Sequence, residues 1–351
     1  MQVNRERFLD ILRFFAILGV LFRHSDIDSW YAKAGWAGVD LFFVLSGFLI
    51  SNLLFREYKR EGKVNIARFL IRRGFKIYPS FYVMLVSSLI ISYFVFGSVC
   101  GKNNILSEVL FMQSYFNGCY LHTWSLAVEE HFYIFLSLVV YLMIKFRLLN
   151  RRKISIFIFA SLIFIVFMLR YSYIMSGESI EKLRFFMSHL RCDGLLMGVL
   201  TSYIYNFYPE IISGLKRFSA ILLIVTTGLI SIIFYTNTKS FFLLTYGFDL
   251  IALGFSLVLV LNLIYKENNT YIKIFNHPLA KLFALIGKYS YSIYLWHIIV
   301  AQLLNHYLQD QVTVLLYFVS AIIVGMLFSI AIEQPFMKMR EKIPLIAERK
   351  K

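Results

Sequence analysis

A chain of 351 residues that is 59% hydrophobic and 16% charged departs from soluble composition, which averages roughly 45–50% apolar and about 25% charged. That balance excludes a soluble enzyme, a disordered chain and a disulfide scaffold. The net charge of +16 is spread over alternate inter-helix segments, which argues against a nucleic-acid partner.

The apolar residues fall into ten blocks, at 8–24, 36–55, 78–97, 124–146, 154–174, 187–207, 218–236, 242–265, 284–305 and 312–334. Each is about long enough to cross a 30 Å hydrocarbon core as a helix. The reading is therefore an all-α polytopic membrane protein with about ten transmembrane helices, in one domain over 1–351 with its core at 8–334. Ile105–Met112 is apolar but too short to span, so it reads as interfacial or re-entrant. With both termini in the cytoplasm, inner segments hold 27 basic residues and outer ones 8, as the positive-inside rule requires. Residues 335–351 then form a basic cytoplasmic tail. No cleavable signal peptide is expected, because no small-residue cleavage site follows the first apolar block. Cys100 and Cys119 share one outer segment, where they either pair or stay as free thiols, and Cys192 reads as a packing residue. The cysteines form no metal-ligand pattern, and no metal is expected.

Ionisable groups inside spans are costly and mark candidate sites. In the first span, Arg13 and His24 are eleven residues apart, which puts them on one face and about 16 Å apart along the axis. Asp10 lies at i−3 from Arg13 and suits an ion pair. Asp40 begins the second span on the same side as His24, where it either orients that imidazole or stays solvated. Small Ser46 and Gly47 follow and suit close helix packing. Arg72, Arg73, Lys76 and Tyr78 lead into the third span and read either as ordinary inner charge or as a cradle for a phosphorylated ligand. The fourth span opens with Trp124 and Ser125, then carries Glu129 and Glu130, whose side chains diverge by about 100°. One of them is expected to meet an arginine and the other a polar cavity. Arg191 and Asp193 lie in the sixth span, and Tyr294 and His297 in the ninth. Glu333 precedes Pro335 at the end of the tenth and reads as a helix stop with an ion pair to an inner base.

Taken in order, these segments resemble the acyltransferase-3 family of membrane acyltransferases. The resemblance rests on Leu9 to Arg13 with His24, Gly38 to Phe48, Arg73 to Pro79, Trp124 to Phe132, Arg191 to Gly194, Tyr291 to His297, and Glu333 to Phe336. Lys76 stands where the family has a second arginine, so the charge is kept and the bidentate phosphate geometry lost. His131 replaces a glutamine, and Gln334 an arginine. No appended hydrolase-like domain is expected within the 351 residues.

The resemblance implies a protein of the bacterial inner membrane that moves an acyl group, most often acetyl, from cytosolic acyl-CoA to a hydroxyl of a surface or lipid-linked glycan such as O-antigen of lipopolysaccharide, capsule or exopolysaccharide. No permanently bound cofactor is implied; acetyl-CoA is a co-substrate. His24 would be the general base, with Arg13, Glu129 and Glu130 as catalytic partners. Arg72, Arg73, Lys76 and Tyr78 would bind the donor. Asp10, Asp40, Trp124, Ser125, Arg191, Asp193, Tyr294, His297 and Glu333 would bind the acceptor or support the site. Direct transfer and an acyl-histidine intermediate stay open. The alternative is a glycan or lipid-linked precursor transporter or flippase, although no inverted repeat or pair of broken helices is visible.

Overall fold

The computed structural model describes residues 2–25, 29–176, 186–309 and 312–343, with the side chains of residues 2–6 left out. Among the described residues the secondary structure is entirely helical. Its α-helices in chain order are α1 (Gln2–Arg23), α2 (Trp30–Ala34), α3 (Ala37–Glu61), α4 (Ile66–Phe94), α5 (Lys102–Val109), α6 (Trp124–Lys145), α7 (Arg152–Met175), α8 (Ser188–Arg191) and α9 (Asp193–Phe207). They continue as α10 (Pro209–Gly214), α11 (Ser219–Tyr235), α12 (Phe248–Tyr265), α13 (Asn269–Asn276), α14 (Pro278–Lys288), α15 (Ser290–Leu308), α16 (Val314–Phe328) and α17 (Gln334–Lys342). Every expected apolar block lies on one or more of these helices, and among the described residues 7 helical segments are long and apolar enough to cross a membrane. The protein is a multi-pass membrane protein.

Local signals set the helix ends. The side chain of Asn65 accepts from the Arg68 amide and caps α4, and Thr313 does the same for Leu316 at the start of α16. Gly62, at φ 68°, ends α3 by turning its N–H back to the Tyr58 carbonyl. Pro79 sits inside α4 and removes the N–H that would have met the Phe75 carbonyl.

α3 is the central post. Its stretch with the strongest hydropathy is 72% buried, against 11% for the segment containing α11. One set of its side chains, including Phe43 and Phe55, joins an apolar core with α4, α6, α9 and α15. Another set, including Val44 and Phe48, joins a second core with α1 and α12. The α3 and α9 backbones approach closely, so that a Cβ on Gly47 would collide with the Leu195 carbonyl and one on Gly198 with the Val44 carbonyl. Small residues at such crossings let helix backbones touch in lipid.

Several expectations change in detail. The sixth block is broken at Cys192, leaving α8 and a 15-residue α9. The ninth begins later, at Ser290, because α14 precedes it as a separate amphipathic helix packed on α1. There Gly287 lies against the Asp10 carbonyl with no room for a Cβ. Glu333 does not stop the last helix. Ser329–Glu333 form one π turn and α17 continues to Lys342, with Pro335 in its first turn where the missing N–H costs nothing. Glu333 accepts hydrogen bonds from Ser292 (3.0 Å) and Ser329 (2.9 Å), and its charge also acts on the inner base Lys76. The expected tail is thus helical as far as Lys342, and 344–351 lie outside the described residues.

Cys100 and Cys119 are joined, with Cα atoms 5.8 Å apart, which resolves the open alternative in favour of the disulfide. Inside the segment they close, Glu108 is fully buried and accepts from the amides of Cys119 (3.0 Å) and Tyr120 (3.1 Å) and the Thr123 hydroxyl (2.9 Å). Burial raises its carboxyl above the ordinary range, and these donors pull it back. In a Cys192→Ser background, a thiol reagent is expected to label Cys100 and Cys119 only after reduction. Labelling before reduction would show that the pair is open.

Candidate active site

Two adjoining spaces lie in the bundle toward the end where α4 begins. The larger, about 1320 Å³, is bordered by Arg56, Lys59, Arg60, Arg68, Arg72, Arg73, Lys76, Lys266 and Arg340, with only Glu57 and Glu267 opposing them. Such a volume exceeds that of most small-molecule pockets. The smaller, about 120 Å³, lies deeper between α1, α3, α4, α6 and α15. Arg73 and Lys76 border both and form the neck between them.

Arg13 enters the small chamber from α1, held by Asp10 at 2.5 Å as the i−3 spacing predicts. Glu129 and Glu130 both border the chamber, and their divergence sends them to different helices. Glu129 turns toward α3, where it accepts from Ser46 (3.3 Å) and from Tyr133 on its own helix. Glu130 turns toward α4 and accepts from Tyr78 at 2.9 Å, while its other oxygen is buried without a partner. The Arg73 guanidinium lies 5.7 Å from the Tyr133 ring centre. The expectation that one glutamate meets an arginine and the other a cavity is thereby refined: both face the cavity that holds the arginine.

The upper wall of the chamber is made by Ser125 and Tyr294, whose hydroxyls are 2.7 Å apart. Tyr294 also donates to the His122 carbonyl at 2.5 Å. Beyond this wall three histidines from separate elements converge. His297 is fully buried, with its Nδ1 2.6 Å from the Tyr294 carbonyl and its ring 5.2 Å from that of His122. Its Nε2 is 3.3 Å from Nδ1 of His24, which also lies 3.0 Å from the Val20 carbonyl. His24 is exposed at the end of α1 and does not border the chamber; Tyr294 and His297 separate the two. Among the described residues, no group of three or more His, Cys, Asp or Glu side chains is arranged to hold a metal ion.

Three of the residues singled out in the sequence stand apart from this arrangement. Asp40 does not orient His24 and is not solvated: it is buried and paired with Arg191 at 2.5 Å. Arg191 lies over the rings of Phe248 (3.8 Å) and Trp124 (5.3 Å). Asp193 pairs with Arg170 at 2.7 Å, and Arg170 also reaches Asp249. Together these ion pairs fasten α3, α7, α8, α9 and α12. Trp124 packs edge-on against Phe43 and beside Phe186, with Ser125 next to it in the chamber wall. Sequence reasoning did not single out His122, Tyr133 or Lys288 as site residues, although Lys288 borders the small chamber. His122 gave a signal, a histidine two residues ahead of Trp124, but nothing in its spacing tied it to His24.

The sequence profile of an acyltransferase domain, Acyl_transf_3, matches residues 6–334, nearly the whole chain. The chain belongs to the acyltransferase-3 family. Its relatives include a protein of Staphylococcus aureus strain COL provisionally named an O-acetyltransferase, 29% identical over 360 residues covering 94% of this chain and 57% of that protein. They also include the O-acetyltransferase OatA of Staphylococcus aureus strain NCTC 8325, 26% identical over 357 residues with the same 94% and 57% covered. The chain thus spans 57% of the length of these relatives. No solved structure matches the chain.

Proposed function

We propose that this family member is a membrane O-acetyltransferase that takes acetyl-CoA from the cytoplasm and acetylates a hydroxyl of a surface or lipid-linked glycan. The observation that carries the reading is the continuity of the basic vestibule with the polar chamber through Arg73 and Lys76, with His24 exposed beyond it. Vestibule cations suit the phosphates of CoA, and the narrow chamber suits the extended thioester arm. The ten apolar blocks favour ten spans, the charge balance of 27 inner to 8 outer bases favours both termini in the cytoplasm, and the bacterial relatives favour a bacterial inner membrane as the location. Membership of the acyltransferase family favours transfer over the transporter alternative.

In the reaction, the wall formed by Ser125 and Tyr294 has to open for the acetyl group to reach His24. The acceptor oxygen attacks the thioester carbonyl while His24 removes its proton. The tetrahedral oxyanion calls for nearby donors, and the Ser125 and Tyr294 hydroxyls are the closest to that path. The C–S bond then breaks, and the thiolate of CoA leaves with the proton from His24. Arg13, paired with Asp10, offers positive charge to the donor arm.

Mass spectrometry of surface glycan from cells with and without the gene tests the reading. One acetyl increment per repeat, absent without the gene, is expected. Loss or shortening of the glycan with no acetyl difference would turn the assignment toward transport. In membranes, Arg73→Ala and Lys76→Ala are each expected to raise the KM for acetyl-CoA about 10- to 100-fold, the value of a hydrogen bond to a charged group. Unchanged KM in both would move the donor site elsewhere.

A further inference from the structure

The contact between His24 and His297 fixes where each proton sits. The Tyr294 carbonyl, 2.6 Å from Nδ1 of His297, only accepts, so that nitrogen carries a hydrogen. A neutral imidazole has one N–H, which leaves Nε2 of His297 with a bare lone pair. A protonated His297 is disfavoured because the ring is fully buried and its nearest ring neighbours are two further histidines and Tyr294. The same reasoning applies from the other side. Nδ1 of His24 lies 3.0 Å from the Val20 carbonyl, which again only accepts, so it too carries a hydrogen. That N–H is shared with the lone pair of His297 at 3.3 Å. Two independent carbonyls, on α1 and α15, thus demand the same arrangement.

We propose that His297 is the positioning residue of the site: it accepts the Nδ1 hydrogen of His24 and leaves Nε2 of His24 as the nitrogen that takes the acceptor proton. The proposal rests on the reading of His24 as general base. When Nε2 gains that proton the ring becomes a cation, and its Nδ1–H then faces two acceptors, Val20 and His297, which strengthen as the charge develops. His297 needs no charge of its own and returns to the same state when the proton passes to the departing thiolate. The opposite tautomer of His24 would point its Nδ1 lone pair at the oxygen of Val20 and the lone pair of His297 at once, three acceptors with no hydrogen between them.

The test joins a structural and a kinetic readout on the full chain in lipid bilayers. With nitrogen-15 histidine, the His24 signals, identified by their loss in His24→Gln, are expected to show Nδ1 protonated and Nε2 bare. A dominant Nε2–H form would overturn the proposal whether or not the protein transfers acetyl, so failure of the tautomer and failure of the acetyltransferase reading are distinguished. Kinetically, His297→Leu is expected to lower kcat about 10- to 100-fold at unchanged KM for acetyl-CoA. His297→Gln, whose side-chain oxygen can reach the position of Nε2, is expected to recover part of that loss. Full kcat in His297→Leu, or equal loss in both variants with the His24 tautomer unchanged, would remove His297 from the mechanism.

Discussion

His24→Ala is expected to remain in the membrane at normal abundance and to lower acetyl transfer by about 10²- to 10⁴-fold, the usual contribution of a general base. The expectation of normal abundance follows from its place: His24 is exposed just past the end of α1, and its contacts are the Val20 carbonyl and one nitrogen of His297. Truncating it opens no core cavity. Glycan acetylation in cells carrying the variant, read by mass spectrometry beside an immunoblot of the membrane fraction, checks both halves. Normal acetylation would remove His24 from the chemistry. Loss of the protein itself would show that the residue matters for folding.

The largest effect on stability is expected at Arg170, far from the chamber. Its guanidinium is fully buried, donates to Asp193 and Asp249, and also satisfies the carbonyls of Leu190 (3.0 Å) and Thr245 (3.3 Å). Arg170→Met would leave the buried Asp193 and the half-buried Asp249 without this counter-charge, and Asp249 already has an oxygen lacking a partner. Breaking one side of such a cluster costs about 3–5 kcal/mol. A clear fall in the thermal midpoint in detergent is expected, partly restored by adding Asp249→Asn, since that change removes one of the stranded charges. A midpoint equal to the parent protein would show that the cluster does not hold the bundle.

Arg170 also shows what the sequence conceals. It stands near the end of an apolar block, yet its partners lie 23 and 79 residues away. No local periodicity announces a contact of that reach. Asp40 is the reverse case. Its nearness to the His24 end of the bundle invited a pairing that Arg191 takes instead, because α9 crosses α3 at glycines and brings the neighbouring α8 alongside. By contrast, Asp10 with Arg13 and the divergence of Glu129 from Glu130 were legible, since both follow from helix geometry alone. The apolar blocks were legible for the same reason, while no local signal marks the break at Cys192 or the π turn before Gln334.

The drop from about 1320 Å³ to about 120 Å³ at Arg73 and Lys76 makes the neck a sieve. On the proposed reading, a nucleotide is too bulky for the inner space, so only the slender end of the donor would pass while its head stayed at the entrance. The spent carrier would then retreat by the door it came through, while the acetylated acceptor would depart from the His24 end. With separate entrances neither product would have to wait for the other, and what travelled through the molecule would be two carbons and an oxygen without their carrier.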